Sequence, residues 1–214
     1  METRPPSAAA DNVLTQGKDF FDDAYEGVPP WDIGRPQPEI VRLESEGLFQ
    51  SEVLDVGCGT GENALYLAQR GHRVIGIDGA RKAIARAKEK ATARGLRADF
   101  LVWDALKLPG LGRRFDTVID SGLFHVFADE ERGSFVKGLA EVLKPGGGYF
   151  MLCFSDKEPG SWGPRRIKKE EIQQAFGKGW MIDSLLPSRF ATHLDDIGAH
   201  SWTVTILRPG SGVK

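Results

Sequence analysis

Four aspartates, Asp55, Asp78, Asp104 and Asp120, each close a short apolar stretch, and His125 follows soon after the last of them. Carboxylates accept hydrogen bonds from paired hydroxyls, from an ammonium group or from an exocyclic amine, and a neutral imidazole can take up a proton. Any single Asp is equally well explained as a turn or helix-capping residue. Four in series, at the ends of successive apolar stretches, form a pattern that core packing does not require.

The first aspartate lies within VLDVGCGTGENALYLAQRG, residues 53–71, and the second follows it. Val53, Leu54 and Val56 read as a short buried strand, and Leu65, Leu67 and Ala68 as part of a helix that Gly71 ends. Between them Gly57, Gly59 and Gly61 make a turn where a ligand can approach the backbone closely. A dinucleotide fingerprint is G-x-G-x-x-G and leaves a helix N-terminus free for a pyrophosphate. Here the spacing is G-x-G-x-G, and Glu62 follows, a carboxylate that satisfies the helix dipole and repels phosphate. No G-x-x-x-x-G-K-[ST] cradle is present. A ligand without phosphate and with positive charge fits better: S-adenosylmethionine, an adenosine carrying an amino acid and a sulfonium. Asp55 then meets the ammonium, directly or through water, and Asp78 both ribose hydroxyls. Asp104, beside Trp103 and Ala105, meets the adenine, and Asp120 lies below the methyl-donor end.

Such residues need a frame. Strands are expected at 72–78, 98–104, 115–121 and 148–154 after the opening one, with helices at 81–94 and 130–144 and a further helix at 168–176. Strands near 179–186 and 201–207, with no helix between them, suggest an antiparallel edge hairpin. Alternating strands and helices predict an α/β, doubly wound, mostly parallel sheet covered by helices on both faces, with ligands beyond the carboxyl ends of the strands. Ahead of the first strand, KDFFDDAYEGVPPWDIGRPQPEI (18–40) holds Phe20, Phe21, Tyr25 and Trp31 among four prolines. The prolines forbid one long helix, and a stiff aromatic arm in this place is a candidate lid, followed by a short helix at 39–48. The organisation expected is a disordered tail at 1–15 and one domain at 16–210, with the arm at 16–48.

At 214 residues the chain can bury a full core. A net charge of −2 argues against a nucleic-acid partner. Cys58 and Cys153 do not make a disulfide framework. No run approaches a membrane span, and a cytoplasmic protein that works on a small molecule is the expectation. Oligomeric state is open, with a monomer as the default.

LDVGCGTG, GID, the WDAL after the third strand, FDTVIDSGLFH and LKPGG together resemble the motif series of class I S-adenosylmethionine-dependent methyltransferases, over residues 50–154. PPWDIGRPQP and LFHVF are similar to the thiopurine, halide/thiol and tellurite-resistance group. Within it the chain resembles the small bacterial members, which include the mycobacterial-type enzymes that methylate heterocyclic toxins of the hydroxyquinolone or quinone kind. The resemblance implies a Rossmann-like, seven-stranded sheet with the last strand antiparallel. It also places Trp31 near the sulfonium, where a π face favours a cation.

Methyl transfer is an in-line displacement that needs alignment and exclusion of water. A thiolate or halide needs no base, whereas a hydroxyl must lose a proton; His125 is the candidate base, and a structural hydrogen bond or a contact to the methionine part of the cofactor is its other reading. Phe21, Tyr25, Trp31, Arg35 and His125 would line the acceptor site. Trp162 and Arg165 in SDKEPGSWGPRRIK would form its other wall, with Arg35 free for an anionic acceptor or pairing with Asp32. The [DN]-P-P-[YF] of nucleobase and glutamine methylation is absent after the fourth strand, and no His/Asp/Glu cluster has metal-ligand spacing. The reading is therefore transfer to an O, S or N nucleophile of a small aromatic or heterocyclic molecule. The alternatives are a halide/thiol methyltransferase, a non-catalytic nucleotide-binding module and a nicotinamide-dependent oxidoreductase. Glycine spacing and Glu62 speak against the last.

Overall fold

A computed structural model describes residues 18–210, so the tail expected at 1–15 lies outside the described residues. Helix α1 (Lys18–Ala24) opens the arm, and the proline-rich stretch leads to α2 (Pro38–Ser45). Pro38 stands in its first turn, where a missing N–H costs nothing. Ile40 and Leu43 of α2 are its buried anchors.

Strand β1 (Glu52–Val56) then enters the sheet, followed by α3 (Glu62–Gln69), β2 (Arg73–Asp78), α4 (Arg81–Arg94), β3 (Asp99–Val102), β4 (Phe115–Ser121), α5 (Asp129–Val142), β5 (Leu143–Phe154), α6 (Lys169–Ala175), β6 (Met181–Phe190) and β7 (Ala199–Leu207). The seven strands lie in the order β3-β2-β1-β4-β5-β7-β6. β1 pairs in parallel with β2 and β4, and β7 runs antiparallel to both β5 and β6. This is the doubly wound sheet with an antiparallel last strand that the sequence leads one to expect.

Strand alternation divides the core between the two faces. Leu54, Val56, Ile75 and Ile77 join Phe135, Leu139 and Tyr149 on one side. Val53 and Val74 meet Leu65, Leu67, Ile84 and Ala87 on the other. Helix α4 buries Ala83, Ile84, Ala87 and Ala91, a narrow stripe whose small side chains let the helix lie close to the sheet.

The largest departure from the expected boundaries is at the start of β5; β6 also runs to Phe190, past the end expected near 186, and α2 ends at Ser45 rather than 48. The helix expected to reach 144 stops at Val142, and Leu143–Phe154 forms one long strand. Pro145 disfavours a helical residue before it. Leu143 pairs with Phe115, and the backbones of Gly146 and Gly147 exchange hydrogen bonds with Arg208. Partners distant in sequence therefore claim this segment for the sheet. The strand order reverses between β1 and β4, and the crevice that this opens lies beside the glycine turn.

Candidate active site

A cavity of about 1100 Å³ occupies that crevice. Its floor is the turn after β1. Gly57, Gly59 and Gly61 all have positive φ (73°, 53° and 84°), a region that side chains disfavour. A Cβ on Gly59 would lie 2.6 Å from the Tyr25 hydroxyl, and one on Gly57 3.0 Å from Leu123 Cβ, so bare backbone lines the floor. Asp78, at the end of β2, anchors the turn by accepting the Gly59 N–H at 2.9 Å and the Ala80 N–H at 2.8 Å. Both oxygens keep further acceptor capacity toward the cavity it lines. Asp104 and Ala105 line the same wall at the end of β3, where Asp104 accepts the Leu106 N–H.

Asp55 and Asp120 are not on the wall. Asp55 is buried beneath the turn with no hydrogen-bond partner for either carboxylate oxygen among the described residues. Burial, with the charges of Asp120 and Asp78 nearby, pushes its pKa up to about 8. An orphaned carboxylate below a bare backbone cradle fits a ligand that brings a cation or a bridging water. Asp120 is burdened differently: it accepts the Leu123 and Phe124 N–H groups at 2.8 and 3.0 Å and the Tyr149 hydroxyl at 2.7 Å. Burial raises its pKa to about 7 against those bonds. Asp120 thus fixes the 3-10 turn Phe124–Val126, which carries His125.

His125 reaches the cavity, but its geometry corrects the role of base. Its Nδ1 accepts the Phe154 N–H at 2.9 Å. A neutral ring that accepts at Nδ1 carries its proton on Nε2, which lies against Gly122. No lone pair is left to receive a substrate proton. Burial, together with the charges of Arg166 and Arg132, holds the pKa down at about 3. The imidazole is a neutral wall group, edge-on to Phe154 at 5.1 Å.

The arm roofs the cavity. Phe21, Tyr25, Trp31 and Arg35 all line it. The Trp31 indole N–H donates to the Tyr25 hydroxyl at 2.9 Å, and Asp32 accepts the Thr60 hydroxyl at 2.8 Å. Lys90 of α4 donates in turn to Thr60 at 2.7 Å and pairs with Glu62 at 2.9 Å. Arg94 binds both Glu62 oxygens at 2.8 Å. With two cations against it, Glu62 is a weaker repellent of phosphate than its place in the sequence implies. On the other side the Gln37 side-chain amide exchanges two 2.9 Å bonds with the Ala191 backbone, joining the arm to the β6–β7 connection.

Trp162 lines the acceptor side, held edge-on to Phe154 at 5.5 Å with Arg166 over its ring. Arg165 is corrected: it is off the wall and bound to Asp129 and Glu171. Phe154 and Phe190, 5.4 Å apart, complete the aromatic wall. Sequence reasoning missed both as site residues. Phe154 ends the fifth strand, which was a usable signal, whereas nothing local marks Phe190. Arg35 is exposed and has no ion pair among the described residues. No group of three or more metal-ligating side chains occurs among the described residues, and no helix there is long and apolar enough to cross a membrane.

Residues 53–147 match the family described as "Methyltransferase domain". The chain is 38% identical, over 83% of its length and 83% of the relative's, to a 2-heptyl-1-hydroxyquinolin-4(1H)-one methyltransferase of Mycobacteroides abscessus. It is 28% identical to "Probable thiol methyltransferase 2" of Arabidopsis thaliana, over 70% of this chain and 67% of that one. A solved structure concerned with the conversion of a disulfide bond into a thioacetal group during echinomycin biosynthesis superposes with a TM-score of 0.82 at 37% identity. It covers 91% of this chain and 94% of its own.

Proposed function

The chain belongs to the methyltransferase family, and from that membership we propose how it works: it moves a methyl group from S-adenosylmethionine to a small, flat, aromatic or heterocyclic acceptor. The observation that carries this reading is one continuous cavity, with a bare glycine cradle and strand-end carboxylates at one side and Trp31, His125, Phe154, Trp162 and Phe190 at the other. The cofactor supplies an electrophilic methyl on a sulfonium. Asp78 holds the ribose hydroxyls, Asp104 and Ala105 the adenine edge, and Gly57, Gly59 and Gly61 admit the amino-acid portion above Asp55. Trp31 sets a π face near the sulfonium. His125, held by the Phe154 amide, positions the acceptor. The arm shuts water out, which strengthens every polar contact inside. Arg35, at the mouth and unpaired among the described residues, draws in an anionic edge of the acceptor. The two thiols are free and buried, in keeping with a cytoplasmic site of action.

The test is direct. Calorimetry is expected to show S-adenosylhomocysteine binding with no comparable binding of NAD, and labelled cofactor to transfer its methyl to hydroxyquinolone or thiol acceptors. Tighter binding of NAD overturns the reading. Asp78→Ala is expected to weaken S-adenosylhomocysteine binding by about 1–3 kcal/mol, because buried hydroxyls lose their acceptor. An unchanged affinity would leave Asp78 as a turn anchor alone.

A further inference from the structure

We propose that Arg166 is the positioning residue of the acceptor wall: its guanidinium fork holds the loop that presents Trp162, and so sets the preference of the site for flat aromatic acceptors over small ones. The proposal rests on the methyltransferase reading and names what tunes its acceptor side.

The loop is residues 156–166, between β5 and α6, and its foot is fixed in the core. Ser155 and Ile167 form a β-bridge. The Asp156 N–H donates to the Ile167 carbonyl at 3.1 Å, and the Ile167 N–H to the Phe154 carbonyl at 2.9 Å. The Trp202 indole N–H donates to the same Ile167 carbonyl at 2.9 Å. On the first limb the Glu158 carboxylate accepts the His200 N–H of β7 at 2.6 Å. Beyond Glu158 this order runs out. Among the described residues, no backbone–backbone hydrogen bond is made over 159–166. Pro159 and Pro164 have no N–H to give. Gly160 and Gly163, on either side of Trp162, hold positive φ of 75° and 72°. Yet Ser161, Trp162, Gly163 and Pro164 all line the cavity. A tip of this composition has many conformations to lose, so side chains must fix what its backbone does not.

Arg165 turns away from the loop, to Asp129 and Glu171. Arg166 turns across it. Its Nη1 donates to the Pro164 carbonyl at 2.8 Å and its Nη2 to the Pro159 carbonyl at 3.3 Å, while Nε approaches the Glu158 carbonyl at 3.5 Å. One side chain thus binds both limbs. Its guanidinium carbon lies 5.7 Å from the centre of the Trp162 ring, which Phe154 meets edge-on at 5.5 Å. Trp162 is therefore set between a cation and a phenyl ring of the wall. A planar fork can bond two limbs and face a ring at once, which the point charge of a lysine cannot. A flat acceptor laid against Trp162 gains from a ring held in one place. A small thiol has too little surface to use that wall.

The test is a double-mutant cycle on acceptor preference, read as the ratio of kcat/KM for a hydroxyquinolone to that for a small alkyl thiol at saturating cofactor. Arg166→Gln is expected to lower this ratio about tenfold, chiefly through KM for the hydroxyquinolone, with S-adenosylhomocysteine affinity unchanged. Trp162→Ala is expected to lower it at least as far, and Arg166→Gln added to Trp162→Ala to lower it no further. Arg166→Lys keeps the charge without the fork and should recover only part of the ratio. Limited digestion by proteinase K with S-adenosylhomocysteine bound reads the loop without activity: cleavage within 156–166 is expected to be about tenfold faster in Arg166→Gln than in the parent. An unchanged ratio, unchanged cleavage, additive losses in the double variant or full recovery in Arg166→Lys would each overturn the proposal. So would a fall in S-adenosylhomocysteine affinity as large as the fall in the ratio. Methyl transfer by the parent to neither acceptor would instead overturn the methyltransferase reading, and the digestion would still decide whether Arg166 holds the loop.

Discussion

Trp31→Ala is expected to lower kcat/KM for methyl transfer by about 10²–10³-fold while the sheet stays folded. The indole packs into two separate clusters, one with Tyr25, Ala80 and Ala83 over α4, the other with Leu152, Phe154, Phe190 and Ala199 at the end of the sheet. It therefore spans the cavity from the cofactor side to the acceptor side. Its ring meets Phe21 and Tyr25 edge-on at 6.2 and 6.3 Å, and its N–H fixes the Tyr25 hydroxyl over Gly59. Truncation removes a π face from the cation and also lets the roof shift, and small displacements are costly in an in-line displacement. Because the residue is half-buried and outside the main sheet core, thermal unfolding should change little. Trp31→Phe keeps a ring and loses the N–H, so its loss should be intermediate. Steady-state kinetics at saturating cofactor decide the matter: a Trp31→Ala rate within a few-fold of the parent would show that the arm covers the site without contributing to transfer.

Much of this architecture is legible in the chain because it is local. The Ala/Ile stripe at 81–94 and the apolar run at 115–121 have the observed bounds of α4 and β4, since periodicity and flanking turn residues act within one element. The glycine turn is equally local, and its positive φ angles follow from residue type. What could not be read depends on which partner a side chain meets. Asp55 and Asp120 end their strands as Asp78 and Asp104 do, yet one lies beneath the turn and the other holds the Leu123–Phe124 backbone. Arg165 looked free in a loop, but Asp129, 36 positions earlier, and Glu171 claim it. The Gln37–Ala191 bonds join residues 154 positions apart. His125 is the clearest case. Its place after the fourth strand marks it as functional, but the Phe154 amide that occupies Nδ1 comes from a different strand. Only that contact separates a base from a wall.

Stability is expected to fall as pH rises from about 5.5 to 8.5, with Asp55 the main cause and a loss of about 3 kcal/mol from this group alone. The sign follows from the raised pKa. In the folded chain Asp55 holds its proton up to about 8, against an ordinary value of 3.8. Between those values the folded state carries a proton that the unfolded state has released, so raising the pH favours unfolding by up to about 1.4 kcal/mol per pH unit. Asp120, raised to about 7, adds to the slope in the lower part of the window. Asp55→Asn keeps the shape and removes the titration, so thermal melts of that variant should show a flatter pH dependence and a gain in stability at the alkaline end. The same carboxyl reports on the ligand. An ammonium brought to the cradle above Asp55 favours its ionised form and lowers its pKa, so S-adenosylhomocysteine binding near pH 7 should release up to one proton. Calorimetry in two buffers of different ionisation enthalpy measures that release. Adenosine, which has no ammonium, should release none, and Asp55→Asn should abolish the effect. If the release is absent in the parent protein, or survives in Asp55→Asn, then Asp55 stays protonated beneath the turn and another group meets the ammonium.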